Sequence, residues 1–124
     1  MRLLLDSNVV LWWLENRSFD PAASAAIADP SNDVYVSAVT PWEIAVKAKL
    51  GTLQGRDDFA AICEAKGFVE LPVTMRHGLA AGALELHHND PFDRMLVAQA
   101  QLEGLTLVTR DQKSHRYGVA FLKA

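Results

Sequence analysis

The sequence contains one cysteine, Cys63, so neither a disulfide framework nor a thiolate zinc site can be built within the chain. Cys63 sits in an apolar helical stretch and reads as a small core residue. No apolar run approaches the roughly 20 residues a membrane span needs, and the opening Met1-Arg2-Leu3-Leu4-Leu5 meets Asp6 too early for a signal peptide. A soluble, cytoplasmic protein with no membrane contact is therefore expected. An excess of basic residues is also missing. The formal charge is −3, which excludes coating of nucleic acid through general basicity and confines any such contact to a few cations or to bound metal. The glycine-rich signatures of dinucleotide and P-loop sites do not occur, nor does the G-x-S-x-G elbow of serine hydrolases. His77, His87, His88 and His115 show no H-E-x-x-H spacing and read as surface or loop residues, with His88 of interest for its closeness to Asp90.

What is present suits one domain over residues 1–124, half hydrophobic and long enough to bury a core. Arg2 to Leu5 reads as a strand buried on both faces and ended by Asp6, and a helix over Val9 to Glu15 follows. Asp20-Pro21 announces a second helix. A strand is expected over Asp33 to Val39, after which Thr40-Pro41 opens a helix closed by Gly51. Helices over Asp58 to Lys66, after Thr74, and from Asp90-Pro91 to Gly104 alternate with strands over Phe68 to Val73, Leu105 to Thr109 and Val119 to Leu122. This alternation predicts a three-layer α/β/α domain with a mostly parallel sheet of four or five strands.

Ligands of such sheets bind outside the carboxyl ends of the strands. Asp6 and Asp111 lie just past strand ends, while Glu43 and Asp93 lie in first turns of helices, so four acids become candidate neighbours. Each also has a structural reading. Thr40 to Glu43 has the pattern of a capping box, and Lys47 is spaced for an i,i+4 ion pair with Glu43. Asp93 would favour the helix dipole, although Asp90 already serves as cap there. Asp111 follows Arg110, a candidate partner. Asp93 shares a helical stripe with Val97 and Ala100 and Asp6 ends an apolar strand, so both should face inward, where an unpaired carboxylate is costly. A hard divalent cation resolves the repulsion of acids gathered at one crevice, and oxygen-only ligands favour Mg2+, or Mn2+, over zinc.

Four blocks, L-L-L-D-S-N-V-V-L-W-W-L, V-S-A-V-T-P-W-E-I-A-V-K-A-K-L-G, H-H-N-D-P-F-D-R-M-L-V-A-Q-A and T-L-V-T-R-D, occur in this order between about Arg2 and Leu122. Together they resemble the successive motifs of PIN-domain, VapC-type toxins. The resemblance implies that Asp6, Glu43, Asp93 and Asp111 are the catalytic acids, with Asp6, Asp93 and Asp111 holding metal and Ser7, Asp90 and Thr109 supporting them. It also implies magnesium-dependent cleavage of RNA and neutralisation by a cognate VapB-like antitoxin; a homodimer is expected. Two departures are visible: Ser7-Asn8 where the first motif usually continues T-H, and Asn89 where a basic residue is usual.

Lys47, Lys49, Arg94 and Arg110 are candidates for contact with RNA phosphates. Trp12 and Trp13 point about 100° apart on one helix, so one core face cannot easily bury both; they read either as two half-buried core aromatics or, as the resemblance implies, as an antitoxin or dimer surface. Two rival readings remain at the level of sequence. One is a receiver or phosphatase-like domain, which also places an aspartate after its first strand but wants a later lysine that Thr109-Arg110-Asp111 does not supply. The other is a metal-free binding module that uses the tryptophan helix alone, against which the presence of all four acids argues.

Overall fold

The computed structural model describes residues 1–51, 57–86 and 90–124. Strand β1 (Arg2–Leu5) lies at the centre of a five-stranded sheet, where Leu3, Leu4 and Leu5 are completely buried. Burial on both faces explains why this strand is an unbroken apolar run rather than an alternating one. Its neighbours are β2 (Asp33–Ser37) and β4 (Thr106–Thr109), with β3 (Val69–Leu71) and β5 (Phe121–Lys123) outside them. The order is β3-β2-β1-β4-β5 and every pairing is parallel.

The two-residue period of β1 divides the core. Leu3 and Leu5 pack with Val9, Val10, Ala23, Ile27, Ile44 and Cys63, which come from α1 (Ser7–Leu14), α2 (Pro21–Ala28), α3 (Val39–Lys49) and α4 (Phe59–Ala65). Leu4 packs on the opposite face with Leu96, Val97 and Ala100 of α6 (Pro91–Glu103), against which α5 (Met75–Ala83) lies. A 3-10 helix (Gln112–Tyr117) joins β4 to β5. The expected layered α/β architecture is thus present, with a sheet that is parallel throughout the described residues.

Local chemistry sets the element boundaries. Helix α1 starts two residues before its expected position because the Asp6 carboxylate caps it, accepting from the Val9 N–H at 2.8 Å. Asp20 and Asp90 cap α2 and α6 ahead of proline, and Gly104 ends α6 at φ 65, a left-handed conformation that glycine adopts without a Cβ penalty.

The capping box expected at Thr40 is not formed. Ser37 Oγ accepts from the Val39 N–H, so the chain turns into α3 before Thr40, whose side chain is buried inside the helix, and the Glu43 carboxylate is released for other partners. The reading of His77 as a surface residue is likewise corrected. Its ring is buried, with Nδ1 accepting from the Thr74 N–H at 3.1 Å and Nε2 2.8 Å from Glu103, so that it completes the cap of α5 and ties that helix to α6. His115 is half-buried and stacks on Phe121. His87, His88 and Asn89 lie outside the described residues.

Candidate active site

Asp6 and Asp111 emerge at the carboxyl ends of β1 and β4, adjacent strands, and α3 and α6 bring Glu43 and Asp93 to the same end of the sheet. Asp6, Ser7, Asn8, Glu43, Lys47, Asp93, Arg110 and Asp111 line one cleft of about 70 Å³. A larger hollow, of about 300 Å³, lies among Val36, Pro41, Phe59, Cys63 and Phe68, but its walls are mainly apolar. Size does not mark the site here; convergence of charge does.

The acids are held by specific bonds. Thr109 Oγ1 donates to Asp6 Oδ2 at 2.6 Å and accepts from the Asp111 N–H at 3.0 Å, so one hydroxyl couples the ends of two strands. Ser7 Oγ donates to Glu43 Oε1, and Lys47 Nζ lies 2.5 Å from Glu43 Oε2. Asp90 accepts from the N–H groups of Phe92 and Asp93 through Oδ1. Carboxylate oxygens of Glu43, Asp90 and Asp93 lie within 4.8 Å of one another, a grouping able to hold a metal ion. Asp90 therefore stands closer to Glu43 and Asp93 than its reading as a helix cap implied. Its spacing of three from Asp93, one helical turn, was the available signal.

Burial pushes the Asp6 carboxyl above its ordinary value, against the lowering effect of its bonds to Thr109 and Val9, and repulsion from Glu43 and Asp111 adds to the rise. For the Lys47 ammonium, desolvation acts downward but is outweighed by its bond to Glu43 and by attraction to Glu43, Asp90 and Asp93, so its pKa is raised. Lys47 is in effect an internal counter-ion of the cluster. Two like charges 4 Å apart repel by about 4 kcal/mol at an effective dielectric of 20, so one ammonium cannot offset the several acids gathered here. The donor set, all carboxylate oxygen, fits a hard divalent cation.

Two assignments for the cations change. Arg94 spends its guanidinium on the carbonyls of Ala81, Leu84 and Glu85, at 2.9, 2.9 and 3.0 Å, and so closes the end of α5 rather than facing RNA. Lys49 is exposed beside Ala45 and Leu50, away from the cleft. Arg110 does line the cleft, although its guanidinium turns from Asp111 to Trp12 and the Ala124 carbonyl. Trp12 and Trp13 are both half-buried, packed on the core with Phe19 against their rings at 6.0 and 6.3 Å, so neither is the fully exposed ring their divergent directions allowed. The exposed tryptophan is Trp42, 62% accessible and edge-on to Phe92.

A model of the PIN domain matches residues 3–120. The chain belongs to the PIN domain family. It is 31% identical over 121 residues to Ribonuclease VapC22 of Mycobacterium tuberculosis, covering 93% of this chain and 92% of that protein. Among solved structures, it is similar to VapBC2 from Rickettsia felis bound to a promoter DNA fragment, with a TM-score of 0.73 at 12% identity over 100% of this chain and 99% of that one. It is also similar to DNA-bound VapBC from Salmonella typhimurium, with a TM-score of 0.72 at 17% identity over 99% and 98% of the two chains. At such identities the structural likeness establishes the PIN fold. No helix among the described residues is long and apolar enough to cross a membrane.

Proposed function

We propose that residues 1–124 form one PIN domain that acts in the cytoplasm as a toxin endoribonuclease, hydrolysing RNA phosphodiester bonds with Mg2+ or Mn2+ and neutralised by a VapB-like antitoxin. The observation that carries this reading is the gathering of Asp6, Glu43, Asp93 and Asp111 in one cleft at the carboxyl edge of the sheet, in a chain 31% identical to a ribonuclease. The direct test is degradation of RNA by the purified protein with Mg2+ and with EDTA; identical rates would sink it.

In this reading Asp6, Asp93 and Asp111 hold the ion, and the closeness of Glu43 and Asp90 to Asp93 supports a share in it for these two acids. When bound, the ion supplies a Lewis acid that offsets charge on phosphate oxygens and makes water acidic enough to act as a nucleophile near neutral pH. Thr109 holds the Asp6 carboxylate in place, and Ser7 fixes Glu43 with a lone pair of Oε1 left to orient water.

Lys47 competes with a cation for Glu43. Replacing it with methionine should tighten Mn2+ binding by roughly 1.4- to five-fold, the range of a partly exposed ion pair, as read by titration. Unchanged or weaker binding would show that the ammonium is no competitor.

We assign the antitoxin surface to the Trp13 side of α1. Trp13 borders a hollow of about 400 Å³ with Asn16, Arg17, Ser24, Ile27, Ala28, Lys66 and Phe68, a mixture of apolar, polar and charged side chains of the kind interfaces carry. Trp13→Ala should weaken association with a VapB-like antitoxin by at least about 1 kcal/mol, measured by calorimetry. An unaltered affinity would place the interface elsewhere. A homodimer is retained as part of this proposal, with size-exclusion chromatography as its check.

A further inference from the structure

Arg110 stands between Thr109 and Asp111, both bonded into the acid cluster, and is one of the residues lining a cleft with Asp6, Glu43, Asp93 and Asp111. A flexible guanidinium in that field should fall onto the nearest carboxylate. It does not. Its Cζ lies 4.2 Å from the centroid of the Trp12 ring, and its Nε donates to the main-chain oxygen of Ala124, the last residue of the sequence, at 3.1 Å. The platform beneath it is firm, because Trp12 packs on the core and against Phe19. With Nε spent, the Nη groups form a planar fork of the kind that matches phosphate oxygens. The other cation lining the cleft, Lys47, is engaged by Glu43.

We propose that Trp12 is a positioning residue whose indole face holds the Arg110 guanidinium beside the cleft, off the carboxylates and presented to a phosphate of the bound RNA. Stacking on an aromatic face orients arginine without neutralising it. The acids stay available to a cation while a positive group remains for the substrate. The role of Trp12 therefore lies in substrate binding and in keeping the acids open. The RNA part of this inference rests on the ribonuclease reading; the arrangement of Trp12, Arg110 and the acids can be tested without it.

The test uses the full chain with Trp12→Ala, Trp12→Phe, Trp12→Leu, Arg110→Ala and the Trp12→Ala/Arg110→Ala double variant. In an Asp93→Asn background, binding of fluorescein-labelled, mixed-sequence single-stranded RNA is followed over a KCl series. Arg110→Ala should weaken binding about ten-fold, as for a lost charge-assisted bond, and flatten the salt slope by about 0.7, the value for one phosphate contact on a single strand. Trp12→Ala should reproduce most of that loss, and the double variant should bind no more weakly than Arg110→Ala alone. Trp12→Phe should retain affinity and Trp12→Leu should not, which separates an aromatic face from mere bulk even if the alanine variant fails to fold.

With Asp93 intact, Mn2+ titration should show weaker binding in Trp12→Ala as Arg110 settles on the acids, and recovery in the double variant. Additive losses in the double variant, or equal behaviour of the phenylalanine and leucine variants, overturn the platform and leave the ribonuclease reading standing. A parent that cleaves no RNA with any divalent ion overturns that reading, while the Mn2+ series still decides the platform. A parent that binds neither Mn2+ nor RNA overturns both.

Discussion

Asp6→Asn and Asp93→Asn should each abolish RNA cleavage at saturating Mg2+ while leaving the fold intact. Partners that merely orient metal ligands cost about 10- to 100-fold when removed, so loss of a ligand itself should cost at least about 100-fold. The amide is nearly isosteric, and asparagine at position 6 can still accept from the Val9 N–H as a helix cap. Stability should move the other way. Burial raises the Asp6 pKa in the folded protein, so without metal the native state binds this proton more readily than the unfolded chain, and stability falls as pH rises from the ordinary carboxylate value of 3.8 through the raised one. In EDTA at pH 7, Asp6→Asn should therefore melt above the parent, and the gap should close as the pH is lowered toward 4. Added Mg2+ should stabilise the parent by mass action and help the variant less. Near-parental cleavage by either variant would remove these residues from the site.

The elements that local chemistry dictates were legible in the sequence. An apolar run ended by an acid made β1 and placed Asp6, and Asp20-Pro21 and Asp90-Pro91 marked helix starts that the structure reproduces. The convergence of four acids could be reasoned from the rule that parallel strands present their carboxyl ends together. Choices among distant partners were not legible. Thr40 to Glu43 satisfied the capping pattern, yet Ser37 captured the Val39 N–H first, and Glu43 found Ser7, 36 residues away. Arg94 looked like an open cation because nothing local announces that α5 ends beneath it. Phe19, which packs against both Trp12 and Trp13, lies beyond their helix, so helix geometry alone left open whether one ring was exposed or both were half-buried. Long side chains choose partners after the backbone has been placed, so element patterns carry little information about them.

The products of cleavage discriminate between mechanisms most sharply. A ribonuclease that uses the substrate's own 2′-hydroxyl as nucleophile needs an acid and a base of histidine type beside the phosphate. The described residues lining the cleft include no histidine: His77 is spent on Thr74 and Glu103, and His115 stacks on Phe121. What the cleft offers is carboxylate, a group able to orient a water molecule and accept its proton, and among these Glu43 is held between Ser7 and Lys47. Water attacking phosphorus in line forms one P–O bond as the bond to the ribose 3′-oxygen breaks, and that oxygen leaves with a proton. The products should carry a 5′-phosphate and a 3′-hydroxyl. An RNA with a single deoxyribose at the scissile position should still be cut, within about ten-fold of the all-ribose substrate if that hydroxyl contributes only a binding hydrogen bond. Mass spectrometry of the fragments reads both results. A 2′,3′-cyclic phosphate, or complete resistance of the deoxy-substituted RNA despite normal binding, would overturn attack by water even if every acid proved essential, because the ribose itself would then be the nucleophile.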